Sequence, residues 1–317
     1  MAKLVPRIGG TAIRRGQVTR AEIPVARLHT GTHLSLPVLA VRGTKPGPIV
    51  WLSAALHGDE INGVEIIRDV LAQVEPHALR GTVLATPVVN VFGFVAESRY
   101  LPDRRDLNRS FPGSATGSLA SRLAHLFMTE IVSHCTHGID LHTGSDHRTN
   151  WPHVRGNLGD LGVRRMAEAF GAPLLVNSKL IDGSLRQAAA AADIPCLVYE
   201  AGEAARFDKD AIATGVDGIL RVLVMLKMLR QPVLPPATAP VLIEKTRWVR
   251  ATRSGILRLE VEPGDQVRRG QQLGTIGDPF GEAVAVKAPA SGFVLGVTRF
   301  PLVHRGDGIV HVAVHKA

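Results

Sequence analysis

Residues 49–60 read Ile49-Val50-Trp51-Leu52-Ser53-Ala54-Ala55-Leu56-His57-Gly58-Asp59-Glu60. An apolar run of this length, closed by a turn residue, has the pattern of a strand buried on both faces in a parallel sheet. It delivers a histidine and two acids just past the strand's carboxyl end, where open α/β sheets place their ligand sites. A second fragment, Gly138-Ile139-Asp140-Leu141-His142-Thr143-Gly144, repeats the arrangement with a shorter run. His57, Glu60 and His142 together offer two imidazoles and one carboxylate. A catalytic zinc uses such a three-donor set when its fourth position stays open for water. Alone, His57 reads rather as a satisfied, partly buried histidine, and Glu60 can be read as an ordinary acid at a helix start. The two fragments in order, each ending a strand, favour the metal.

Working outward, strand-like runs recur at 82–89, 173–176 and 195–199, and helical periodicity at 64–73, 119–133, 185–192 and 210–229. This alternation predicts an α/β fold with a mostly parallel mixed sheet flanked by helices. Four prolines in residues 231–240 then read as a semi-rigid linker. It separates a hydrolase-like region, 1–234, from a small all-β domain, 241–317. The second region is punctuated by Gly255, Gly264, Gly270, Gly274, Gly292 and Gly296 and carries Ala288-Pro289. That pattern resembles the biotinyl/lipoyl barrel-sandwich carriers. Their modified lysine has no counterpart in Gly277-Asp278-Pro279-Phe280-Gly281-Glu282, and Lys287 reads as part of a strand. On a short linker such a domain is expected to pack near the active-site rim.

Composition excludes several classes. Of 317 residues, 45% are hydrophobic and 21% charged, an ordinary globular balance. No apolar stretch is long enough to span a bilayer, and the first residues lack a secretory signal. Cys135 and Cys196 are too few for a disulfide framework or a thiolate zinc site, and both read as buried, inert thiols. A cytoplasmic protein is expected. The net charge is +9, but the basic residues occur as scattered pairs with no aromatic stripe, so neither nucleic acid nor membrane is an expected partner. A homo-oligomer stays open.

A zinc hydrolase also needs a proton acceptor and a cation for the oxyanion. Glu200 ends the run Cys196-Leu197-Val198-Tyr199 and is the first candidate base, with Glu203 its competitor. Asp140, two residues before His142, either orients a ligand or caps a turn. The cations are Arg99, Arg104, Arg105 and Arg109, with Asn108 beside the last, in a loop too rich in charge and proline to be core. Arginine's fork suits a carboxylate, which suggests an acidic substrate. No Gly-x-Ser-x-Gly elbow is present, so a serine hydrolase of the α/β type has no nucleophile.

His57-Gly58-Asp59-Glu60, Asp106-Leu107-Asn108-Arg109-Ser110-Phe111-Pro112-Gly113, Asp140-Leu141-His142-Thr143-Gly144 and Tyr199-Glu200-Ala201-Gly202-Glu203, in that order, resemble the succinylglutamate desuccinylase/aspartoacylase family. The resemblance covers roughly the first 230 residues and implies a zinc-carboxypeptidase-like fold. It implies one zinc per chain on His57, Glu60 and His142. It also implies Arg99 polarising the scissile carbonyl, Asn108 and Arg109 binding the substrate carboxylate, and Glu200 as the catalytic glutamate. Arg104-Arg105 departs from the family pattern by adding charge between Arg99 and Asn108. The expected reaction is hydrolysis of the amide of a small N-acyl amino acid. The alternatives are a carboxypeptidase-like peptidase and a non-catalytic metal-binding relative.

Overall fold

The structure, a computed structural model, describes residues 7–230 and 239–315. Two short strands, β1 (Arg7–Ile8) and β2 (Thr11–Ala12), precede a long hairpin, β3 (Gln17–Arg27) and β4 (His33–Arg42). Then come β5 (Lys45–Ser53), α1 (Asn62–Gln73), β6 (Arg80–Thr86) and the short α2 (Val91–Val95). α3 (Leu119–Glu130) leads into β7 (His137–Gly144), β8 (Arg148–Gly156), α4 (Leu161–Phe170) and β9 (Leu174–Asn177). α5 (Leu185–Ala191), β10 (Cys196–Glu203) and α6 (Lys209–Met225) follow. The regular elements beyond are all strands: β11 (Val241–Ile243), β12 (Thr246–Arg250), β13 (Gly255–Leu259), β14 (Gln266–Val267), β15 (Gln272–Gly277), β16 (Ala283–Lys287), β17 (Gly292–Thr298), β18 (Leu302–Val303) and β19 (Gly308–Val314).

One mixed sheet of thirteen strands runs through the described residues. Its centre, β6-β5-β7-β10, is parallel as expected. The flanks are largely antiparallel, so the expectation of a mostly parallel sheet holds only for that centre. Connection length explains one flank. Only Ser145–His147 separate β7 from β8, too few residues for a crossover, so β8 returns antiparallel and β10 lies between them.

The second half of β5 shows why Ile49–Leu52 is apolar without a break. Val50 and Leu52 join one buried cluster with Ile66 and Val70 of α1, Phe170 of α4 and Leu223 of α6. Ile49 and Trp51, of opposite parity, join another with Leu123 and Phe127 of α3 and Leu185 of α5. With helices covering both faces, every side chain from Ile49 to Ser53 is removed from water, while Lys45 and Pro46 at the strand's start stay exposed. Among the described residues no helix is long and apolar enough to cross a membrane.

The C-terminal strands share the main sheet. β17 pairs antiparallel with β8, Gly296 opposite Asn150, and β11 pairs parallel with β9. Leu295, Ala313 and Ile243 bury themselves against Leu174 and Val176 of β9. A second sheet, β16-β15-β13-β18, encloses a further core including Leu257, Ile276, Val294 and Val310. Lys287 is the last residue of β16, a strand position as expected. Of the proline-rich linker, residues 231–238 lie outside the described residues.

Two buried histidines at this junction make stability acid-sensitive. Burial and the nearby Arg155 push His153 of β8 down to about 3. Burial, Arg155 and Arg148 do the same to His311 of β19, also to about 3. Unfolded, both rings return to about 6.5. Between these limits the unfolded chain binds more protons than the folded one, so stability falls as pH drops below about 6.5. Melting midpoints should therefore decrease from about pH 6.5 to about pH 5. His311→Phe, which keeps a ring against Trp248 (4.3 Å, interplanar angle 6°), should shrink that decrease. An equal decrease in both proteins would contradict the assignment.

Candidate active site

β5 stops at Ser53, and buried Ala54, Ala55 and Leu56 carry the chain to His57. Gly58 is required by a close approach. A Cβ there would lie 1.9 Å from the main-chain carbon of Gly93, in the middle of the neighbouring α2. The Glu60 amide donates to the His57 carbonyl at 3.1 Å, closing a tight turn ahead of Ile61, the N-cap of α1. Glu60 thus lies one residue before the N-cap, ahead of the helix's first turn, and its carboxylate still returns to His57.

His142 arrives from β7, two strand positions beyond Asp140. His57 Nδ1 lies 2.7 Å from Glu60 Oε1, and His142 Nδ1 lies 2.7 Å from Glu60 Oε2. One donor atom from each of the three residues falls within 4.8 Å of the others, and all three residues are buried. The outer nitrogens are held as well. His142 Nε2 is 2.8 Å from Asp140 Oδ2, and His57 Nε2 is 3.3 Å from Asp106 Oδ1. Asp140 is itself fixed by the Ser53 hydroxyl at 2.7 Å. Of the two roles open to Asp140 in the sequence, orientation of His142 matches this geometry. Ser145 donates to Glu60 Oε1 at 2.7 Å, and the Thr143 amide to Oε2 at 3.2 Å.

The electrostatics are those of a site built around Glu60. Burial alone would raise its carboxyl, but His57 and His142 outweigh burial and hold it well below the usual range. Burial lowers His142, yet Asp140 and Glu60 prevail and raise it well above its ordinary value. His57 is raised in the same way, by Glu60 and Asp106 against burial. Asp106 is held low by His57 and Arg99 despite its partial burial. The donors fit a divalent cation. Two imidazoles turn one nitrogen each toward a shared carboxylate, and an outer acid sets the orientation of each ring, as around metal-ligating histidines.

A cavity of about 430 Å³ opens over this cluster and brings together His57, Glu60, His142, Arg99, Asn108, Arg109 and Glu200. Arg99 donates to Asp106 Oδ2 at 2.8 Å and to the Ser145 hydroxyl, and its Nη1 is 3.5 Å from Glu60. The Asn108 side-chain oxygen accepts from the Leu185 amide at 2.9 Å, which leaves its NH2 to donate elsewhere. Arg109 is exposed and donates to the Asn108 carbonyl at 2.6 Å. Glu200, on β10, accepts from Asn150 at 3.0 Å.

Glu203 lies outside the cavity lining and faces Thr149 and Arg206. Arg104 and Arg105 are exposed and also lie outside it. The inserted charge of that loop therefore projects to solvent, while Arg99 and Asp106 close the loop's base. Cys135 and Cys196 are both buried, as expected.

Sequence reasoning missed part of the wall. Asn150, Arg148 and Arg155 from β8, Arg186 from α5, and Trp248 and His311 from the C-terminal strands also line the cavity. Pro152 and the polar residues of Arg148-Thr149-Asn150-Trp151-Pro152-His153 disguise β8 as a loop. The alternation of Arg148 and Asn150 was the one available signal. Trp248 and His311 carry no local motif, although a domain packed at the rim was expected.

A large mixed sheet with helices on both faces and a buried His-Glu-His cluster beyond its strand ends defines an α/β protein with a candidate metal centre. The succinylglutamate desuccinylase/aspartoacylase catalytic domain matches residues 46–226, and the chain belongs to this family of N-acyl amino acid deacylase and aspartoacylase-type hydrolases. The N-alpha-acetyl-L-2,4-diaminobutyric acid deacetylase of Halomonas elongata is 28% identical over 293 residues, covering 88% of this chain and 85% of that protein. A succinylglutamate desuccinylase/aspartoacylase from Rhodobacter sphaeroides superposes with a TM-score of 0.84 at 27% identity, covering 96% of this chain and 97% of that one. The ectoine utilization protein EutE (DoeB) of Ruegeria pomeroyi, solved with product bound, shares the fold with a TM-score of 0.86 at 22% identity, covering 96% and 97%.

Proposed function

We propose that this chain is a zinc-dependent amidohydrolase that removes the acyl group from a small Nα-acylated amino acid. The observation that carries this reading is the convergence of His57, Glu60 and His142 within 4.8 Å, in a cavity that Glu200 and Arg99 also line. His57, Glu60 and His142 would hold the ion. When bound, zinc supplies a Lewis acid that polarises the acyl carbonyl and acidifies water. Glu200 accepts the proton of the attacking water and returns it to the departing amine nitrogen. Arg99, braced by Asp106, stabilises the developing negative oxygen. Asn108 and Arg109 bind the substrate carboxylate. The cavity volume falls within the range of small-molecule sites, which favours a small substrate over a peptide.

A panel of Nα-acetyl-L-2,4-diaminobutyrate, N-acetyl-L-aspartate and N-succinyl-L-glutamate, read by amine release from zinc-loaded protein, tests the reading. Hydrolysis of at least one supports it, and none at all contradicts it. The division of labour between the arginines is separable in the same assay. Arg109→Ala should mainly raise KM for carboxylate-bearing substrates, and Arg99→Ala should mainly lower kcat, as ground-state and transition-state contacts do respectively. Identical behaviour of the two variants would refute the division.

The same proposal keeps residues 1–234 as the hydrolase region and 241–317 as a carrier-like β region without a swinging arm. Supporting it, the β15–β16 hairpin turns through Asp278–Glu282 with no lysine. Intact mass should therefore show neither a biotin nor a lipoate adduct.

A further inference from the structure

We infer that Asn150 is a positioning residue that aims the Glu200 carboxylate into the cavity, and that strand β17 of the C-terminal region holds Asn150 in place through Gly296. The inference rests on the proposed acid–base role of Glu200. Asn150 Nδ2 donates to Glu200 Oε2 at 3.0 Å, and both residues line the cavity. A carboxylate accepts only, so the amide must turn its NH2 toward Glu200, and the orientation is fixed by chemistry. The bond engages Oε2 and leaves Oε1 as the oxygen to take up a proton. A neutral amide suits this task because it donates without competing for that proton.

The register explains how Asn150 reaches its partner. Glu200 pairs with His153 and Gly202 with Asn150, with an irregularity between them. This break in the β8–β10 ladder lets the Asn150 side chain lie alongside Glu200. On the other side, Asn150 is opposite Gly296 of β17. A Cβ on Gly296 would lie 2.6 Å from Asn150 Oδ1 and 2.9 Å from the Thr149 carbonyl oxygen. The amide is thus confined between a carboxylate and a strand that has room only for glycine. Glu203, three residues from Glu200, has no such amide partner among the described residues and instead meets Thr149 and Arg206. The C-terminal region thereby acquires a role in the reaction geometry beyond lining the rim.

The test uses full-length zinc-loaded protein with Nα-acetyl-L-2,4-diaminobutyrate as the probe, read by amine release, together with crystal structures of the variants. Asn150→Leu keeps the volume and loses the donor. It should lower kcat about 10–100-fold with KM within about threefold, since misplacement of a reacting group by an ångström costs on that order. In a Glu200→Gln background the same substitution should cost less than about twofold more, because its effect passes through the carboxylate. Gly296→Ala, which displaces the amide, should reproduce the kcat loss. In Asn150→Leu crystals the Glu200 carboxylate should leave its place beside residue 150, a readout independent of turnover. Asn150→Ala serves if the leucine variant fails to fold. Unchanged kcat with an unmoved Glu200, or losses that multiply fully in the double variant, would overturn the inference. An unaffected Gly296→Ala would remove the β17 part of it. Near-normal turnover of Glu200→Gln alone would remove the acid–base reading instead, which keeps the two failures distinguishable.

Discussion

His142→Ala is expected to lose most of its zinc while retaining its fold. His142 is buried, its Nδ1 lies 2.7 Å from Glu60, and its Nε2 is fixed by Asp140. Removing it takes one of three donors from a site that the sheet has already formed, and no other histidine, cysteine or acid joins this cluster among the described residues. The circular dichroism spectrum should persist, because β7 is anchored by Ile139 and Leu141 rather than by the ligand. Asp140→Asn should be milder, weakening zinc affinity about 10–100-fold, the usual cost of losing an outer partner of a ligating histidine. Unchanged zinc content in His142→Ala would sink the site assignment.

Glu200→Gln should retain zinc and substrate binding but lose about 10²–10⁴-fold in kcat, the usual contribution of a general acid–base group. The substitution keeps the shape of the side chain and removes its capacity to carry a proton. Glu203→Gln is the control. Its side chain lies outside the cavity lining, against Thr149 and Arg206, so turnover should remain near that of the unaltered protein. A collapse confined to Glu203→Gln would move the role there.

The central fold was legible because its code is local. β5 is apolar from Ile49 to Leu52 since helices cover both faces there, and α1, α3, α5 and α6 carry helical periodicity with clear ends. α4 was equally signposted, by an Asp160 cap and a left-handed Gly171 (φ 75°), but it lay outside the helical patterns read from periodicity. The β3–β4 hairpin was also missed. Its edge strand alternates buried and exposed residues, and Pro24 and Pro37 interrupt both runs.

The candidate metal donors and Glu200 could be read because each closes an apolar run at a strand end. Of the outer partners only Asp140, two residues before His142, could be read as well. Asp106 reaches His57 across 49 residues, and Ser145 reaches Glu60 across 85, contacts that only the fold creates. The far wall depends on β8, whose neighbour β17 begins more than a hundred residues later. No local pattern announces such a pairing. The glycine at 296 makes sense only once Asn150 is seen beside it.

The most direct measurement is a chelation and restoration titration, in which zinc is stripped from the purified protein and returned in steps. Hydrolysis of an Nα-acyl amino acid should vanish on stripping. It should return in proportion to bound zinc and saturate at one ion per chain, with no recovery in His142→Ala. Hydrolysis indifferent to the metal, or zinc bound equally well without His142, would contradict the account.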